Sequence, residues 1–109
     1  MTTLLSIYKL LSDETRLRML VLLYLDELCV CQLSGILEAP QPRISKNLSK
    51  LRDLEMVRDL RKEKYVYYTL RDPNDLLRKN LEHILANKAL YPVMAQDIEK
   101  LKTKASYIQ

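Results

Sequence analysis

One glycine in 109 residues, Gly35, constrains this chain more than any other feature. Glycine is the usual residue wherever the backbone needs a positive φ or a close approach. Its scarcity excludes Gly-rich phosphate loops, dinucleotide-binding fingerprints and most all-β designs, which place Gly in their turns. What remains is a mainly helical chain. The length predicts one domain, residues 1–109, with enough chain to bury roughly 65% of its unfolded surface in a single core. Hydrophobic residues are 48% and charged residues 29%, the balance of a globular protein and not of a disordered one. With one His, no nucleophile–base constellation and no anion loop, an enzyme is not expected.

The longest apolar run, Met19 to Leu25, is seven residues, against the ~18 that cross a bilayer. The opening Met-Thr-Thr-Leu-Leu lacks a basic region followed by a long apolar one, so neither a signal peptide nor a membrane partner is expected. Two cysteines are too few for a disulfide framework and point to a cytoplasmic, reducing compartment with free thiols.

Helical spacing dominates the first half. Leu4, Leu5, Tyr8 and Leu11 mark a first helix. Ser12-Asp13-Glu14-Thr15 reads as a break and a new N-cap. A second helix runs to about Leu25, apolar around most of its circumference and therefore expected in the core. A short third helix is predicted from Asp26-Glu27 through Leu37, with Leu28, Leu33, Ile36 and Leu37 apolar. Glu38-Ala39-Pro40-Gln41-Pro42 cannot continue it, because two prolines remove two backbone donors. A fourth helix begins near Pro42 with a narrow apolar stripe, Ile44, Leu48, Leu51 and Leu54.

The period then changes. Val57 to Leu60 and the β-prone Tyr65-Val66-Tyr67-Tyr68-Thr69-Leu70 flank a charged turn, Arg61-Lys62-Glu63-Lys64, and predict a hairpin. Pro73 opens a long helix, and a last helix is expected from Val93 to Lys104. The fold class is therefore mainly α with a β-hairpin, in the order α-α-α-α-β-β-α with an extra C-terminal helix: a helix-turn-helix with a wing.

The net charge of +4 is concentrated where this order puts a recognition helix and a wing. Residues 38–70 carry eight basic side chains against five acidic ones, while residues 1–37 carry three against four. By itself a Lys/Arg cluster is either a solvated face or a phosphate-binding surface. A thin apolar stripe opposite a wide polar face favours the second, since one side anchors while the other is free to enter a major groove of double-stranded DNA. Gln41, Arg43, Ser45, Lys46 and Asn47 are of base-reading type. Ser49 and Lys50 on the helix, with Arg61, Lys62 and Lys64 on the wing, are of phosphate-contacting type.

Four segments resemble the ArsR/SmtB winged-helix repressors, in the same order and from about residue 4 to residue 85. They are Leu11-Ser12-Asp13-Glu14-Thr15-Arg16-Leu17-Arg18, Glu27-Leu28-Cys29-Val30-Cys31-Gln32-Leu33, Gln41-Pro42-Arg43-Ile44-Ser45-Lys46-Asn47-Leu48-Ser49-Lys50-Leu51-Arg52, and Arg61-Lys62 with Val66-Tyr67-Tyr68. The resemblance implies a homodimer, joined through its first and last helices, that represses its own operon from a palindromic operator. It also implies release from DNA when a toxic metal or metalloid binds. Leu4, Leu5 and Tyr8 on the first helix, and Leu77, Leu81, Ile84 and Leu85 on the late one, form apolar stripes too extensive for a monomer of this size to cover and are the expected dimer interface.

Cys29 and Cys31 are the expected inducer site. Either they are two small buried residues, or they are soft thiolates near a helix N-terminus, where the dipole favours an anion and soft ions are selected. Trivalent arsenic or antimony is the expected inducer, with no constitutive cofactor. In a regular helix, residues two apart lie ~200° around the axis, so a shared ion is expected to deform the third helix and disturb DNA docking. The pattern departs from its relatives at several points. Ser34 stands where some relatives have a third Cys, and is a weak candidate third ligand. No Cys lies near the N-terminus, which argues against the cadmium/lead type of site. Asp72 is followed by Asn74 rather than His, and His83 falls outside the zinc-type spacing. The wing turn lacks Gly and is one residue short. Other readings are a thiol redox- or sulfide-responsive (or cadmium/lead-responsive) repressor on the same Cys pair, and a winged-helix protein-interaction module that does not bind DNA.

Overall fold

A computed structural model describes residues 1–108. Six α-helices and three short strands follow in the order α1 (Thr2–Leu11), α2 (Glu14–Leu25), β1 (Leu28–Cys29), α3 (Val30–Leu37), α4 (Gln41–Asp53), β2 (Val57–Lys62), β3 (Tyr65–Leu70), α5 (Asp75–Ala86) and α6 (Pro92–Lys100). Two 3-10 segments, Lys88–Leu90 and Leu101–Tyr107, flank α6. The strands form one antiparallel sheet in the order β1-β3-β2. The winged helix-turn-helix expected from the sequence is thus present.

α2 is the core helix. Asp13 caps it, its side chain accepting from the Arg16 N–H at 2.9 Å, and Met19, Leu20, Val21, Leu22 and Leu23 are all buried. Around it pack Leu28, Leu33 and Ile36 from β1 and α3, Ile44, Leu48 and Leu51 from α4, and Leu77 and Leu81 from α5. Arg16 ties three helices together. Its guanidinium donates to the Leu10 and Lys9 carbonyls at the end of α1, at 2.8 and 3.2 Å, and reaches Asn47 Oδ1 on α4 at 3.5 Å.

Six expectations are corrected. The third helix does not begin at Asp26-Glu27: Leu28 and Cys29 are extended and pair with Tyr68 and Tyr67, and the helix starts at Val30. The turn before α4 is three residues, Glu38 to Pro40, and Pro42 lies in the first turn of α4. Leu54 is the C-cap of α4 and is 51% exposed, so the apolar stripe ends at Leu51. The late helix starts at Asp75 with Asn74 as its cap, and its last helix ends at Lys100 before a 3-10 segment. Leu77 and Leu81 are 1% and 0% exposed within the chain, so they are core residues and not part of an open stripe. Ile84 and Leu85 are half-buried against the core, whereas Leu4, Leu5 and Tyr8 are exposed.

The single glycine closes no turn. Gly35 lies inside α3, and the left-handed positions are taken by Glu38, Glu55, Glu63 and Asp72. The wing turn is reduced to Glu63-Lys64, with Arg61 and Lys62 inside β2. Gly35 answers a different need: a Cβ there would overlap the ring of Tyr107. The C-terminal segment lies across α3 and is fastened at several points. Arg18 and the buried Asp97 make a bidentate pair at 2.8 and 2.9 Å, which raises the pKa of the guanidinium above its usual value. Lys104 Nζ meets Asp26 at 2.6 Å, and Lys100 Nζ donates to the Ile36 carbonyl at 3.2 Å.

Candidate nucleic-acid interface and thiol site

α4 buries Ile44, Leu48 and Leu51 and turns the rest of its surface outward. Gln41, Arg43, Ser45, Lys46, Ser49 and Lys50 are exposed. Asn47 is not free in the same way. It is half-buried, donates to the Arg43 carbonyl at 3.1 Å and accepts from Arg16, so it positions the helix against α1 and α2. On the wing Arg61, Lys62 and Lys64 are exposed. Among the described residues Arg43, Lys46, Lys50, Arg61 and Lys64 form no ion pair, leaving five cations on one helix and one hairpin available to phosphate. Lys62 differs: its Nζ lies 2.5 Å from Glu27 Oε1 and 5.4 Å from the centre of the Tyr67 ring. The carboxylate raises the Lys62 pKa above its ordinary value.

The thiols sit where these two surfaces meet. Cys29 is 2% exposed and is the N-cap of α3, with φ −91° and ψ 171°. Its N–H donates to Gln32 Oε1 at 3.1 Å, part of a capping-box arrangement with Gln32. Cys31 is the second residue of α3 and half-buried, and the Gln41 side-chain amide donates to its sulfur at 3.8 Å. One cysteine therefore belongs to the sheet that carries the wing, and the other touches the first residue of α4.

This placement overturns the geometry expected of a single helix. Cys29 is extended, so the two sulfurs are not fixed ~200° apart on one helix axis. Ser34 donates its hydroxyl to the Ala39 carbonyl at 2.5 Å, which ties it to the turn and leaves only its lone pairs for a ligand. Among the described residues no group of three or more His, Cys, Asp or Glu is placed to hold a metal ion. His83 contacts Tyr91 Oη at 3.2 Å and Asn87 at 3.4 Å on the surface of α5. Thiols are soft donors, the kind that soft ions prefer.

Three contacts were not legible beforehand: Glu27 with Lys62, Gln41 with Cys31, and Arg16 with Asn47. The only advance signal was compositional, an acid just ahead of the thiols and a lysine in the wing.

Known proteins similar to this chain in sequence and fold are transcriptional regulators. Residues 13–59 match the family described as bacterial regulatory protein, arsR family. The arsenic resistance transcriptional regulator ArsR1 of Pseudomonas putida KT2440 is 46% identical over 65 residues, 59% of this chain and 51% of that protein. The chain thus aligns with about half the length of that relative. The arsenical resistance operon repressor of Staphylococcus xylosus is 35% identical over 80 residues, 72% of this chain and 77% of that protein. The crystal structure of the antimony-specific transcriptional repressor AntR superposes with a TM-score of 0.67 at 28% identity, covering 78% of this chain and 76% of the other.

Proposed function

The chain belongs to the ArsR family of bacterial transcriptional regulators, a family of DNA readers and not of enzymes, and on that footing we propose that it is a metalloid-responsive repressor. As a homodimer it binds a palindromic operator through Gln41, Arg43, Ser45, Lys46, Ser49 and Lys50 of α4 and through Arg61 and Lys64 of the wing. Trivalent arsenic or antimony binds Cys29 and Cys31 and releases it. Each thiol displaces one hydroxide from the trivalent acid, and its proton leaves with that hydroxide as water. The third position keeps a hydroxide or takes an external thiol. Leu4, Leu5 and Tyr8 are exposed on α1 and supply the apolar face for the second copy, with α5 contributing Ile84 and Leu85. The protein acts in the cytoplasm, where its thiols stay reduced.

The observation that carries this reading is the position of the thiol pair between the two DNA-facing elements, Cys29 opposite Tyr67 on the wing strand and Cys31 against Gln41 on α4. An ion that draws the sulfurs together must disturb at least one of them. DNA and ion then favour different conformations, which is linkage between two sites.

The test is a titration of a fluorescent palindromic fragment from upstream of its gene, half-sites ~34 Å apart, bound by the protein. Binding that falls steeply with salt supports the DNA reader. Dissociation by arsenite and antimonite, and not by zinc, cadmium or oxidant, supports the assigned inducer. Dissociation by oxidant alone replaces it with a redox sensor. Absence of any DNA binding replaces the reading with an interaction module.

A further inference from the structure

We propose that Glu27 is a positioning residue that withholds Lys62 from DNA phosphate, so that occupancy of the thiol pair reaches the wing through this one ion pair. The proposal rests on the reading of Cys29 and Cys31 as the inducer site. Glu27 stands immediately before β1, and β1 is only Leu28 and Cys29. Cys29 faces Tyr67 across the sheet, and the Lys62 ammonium lies over the ring of that tyrosine while its nitrogen is 2.5 Å from Glu27. Glu27, Cys29, Tyr67 and Lys62 thus form a closed ring of covalent, ladder and side-chain links.

Two physical points turn this ring into a switch. The pair is half-exposed, with side chains 50% and 37% accessible, and pairs of that exposure open readily. A lysine held by a carboxylate also adds little to phosphate binding, since its charge is already matched. Contact with DNA therefore requires the pair to open and Lys62 to join Arg61 and Lys64. An ion bridging Cys29 and Cys31 fixes β1, which Glu27 immediately precedes, keeps the pair closed and takes one cation from the wing. This is a separate route from Gln41 and α4.

Salt-dependent operator binding is measured for the wild type, Glu27→Gln, Lys62→Gln and the double variant, each with and without arsenite. Glu27→Gln is expected to bind DNA several-fold more tightly, with a salt slope steeper by about one ion, and to need more arsenite for release while binding the same arsenite per chain. The double variant is expected to match Lys62→Gln. Unchanged affinity and slope in Glu27→Gln overturn the proposal. So does a steeper slope that persists in the double variant. If the wild type ignores arsenite and antimonite, the inducer assignment falls, and the salt slopes without arsenite still decide whether Glu27 restrains Lys62. If the wild type is released and Glu27→Gln is released identically, the coupling role falls and the inducer assignment stands.

Discussion

The ring of Tyr107 occupies the space that a side chain at residue 35 would need, and Gly35 is the only glycine in the chain. A glycine inside a helix costs about 1 kcal/mol relative to alanine. Here that cost accompanies a C-terminal segment laid across the helix that begins at the thiols, where the Gln32 amide also donates to the Lys104 carbonyl at 3.3 Å.

Gly35→Ala is therefore expected to destabilise the protein by about 1–2 kcal/mol, the displacement of Tyr107 outweighing the gain in helix propensity. In a Tyr107→Ala background the same substitution should change sign and stabilise by up to about 1 kcal/mol. Denaturant melts of the four proteins check this. A Gly35→Ala cost that survives in the double variant would show that Tyr107 is not the reason for the glycine.

Cys29→Ser and Cys31→Ser are each expected to leave operator affinity within about threefold of wild type and to abolish release by arsenite, because one thiol cannot hold the ion alone. Anisotropy titrations measure both. Cys29 is buried and Cys31 half-buried, so the small loss of affinity should be larger for Cys29→Ser. Release that persists in both variants would remove the thiol pair as inducer site.

Asp97→Ala should cost about 3 kcal/mol. It leaves the mostly buried Arg18 guanidinium without its bidentate partner, whose hydrogen bonds are what raise the arginine's pKa. The replacement of both residues by apolar ones of similar size is expected to be much milder. Thermal melts of the single and double variants distinguish a lost pair from lost packing.

Leu77→Ala and Leu5→Ala should separate core from interface. Leu77 is 1% exposed and its truncation is expected to lose about 2–5 kcal/mol of stability. Leu5 is 60% exposed in the single chain, and its truncation should instead weaken self-association with little change in the melt at high protein concentration. Sedimentation at several concentrations reads this. A Leu5→Ala protein that dimerises as the wild type does would move the interface off α1.

Lys50→Gln is expected to lower operator affinity about equally for all sequences and to reduce the salt slope by about one. Asn47→Ala should act differently, lowering stability through the lost Arg16 and Arg43 contacts before it affects sequence preference. Equal effects of the two variants on the salt slope would return Asn47 to the DNA-reading set.

Local pattern carried much of this molecule. The cap at Asp13, the apolar α2, the proline break, the narrow stripe of α4 and the β-prone Tyr65–Leu70 all declare themselves within a few residues, because helix and hairpin signals are periodicities of adjacent side chains. The Cys-Val-Cys box and the basic face were equally plain. What proximity in sequence could not decide was how distant segments share one core. A two-residue strand has no period of its own, so Cys29 became extended only because β3, far along the chain, supplies its pairing partner. Leu77 and Leu81 read as an open stripe until α5 packed beside α2. The Lys62–Glu27 pair and the Tyr107–Gly35 fit are long-range, and the Gln41–Cys31 contact crosses the turn between α3 and α4; each depends on how separate elements pack.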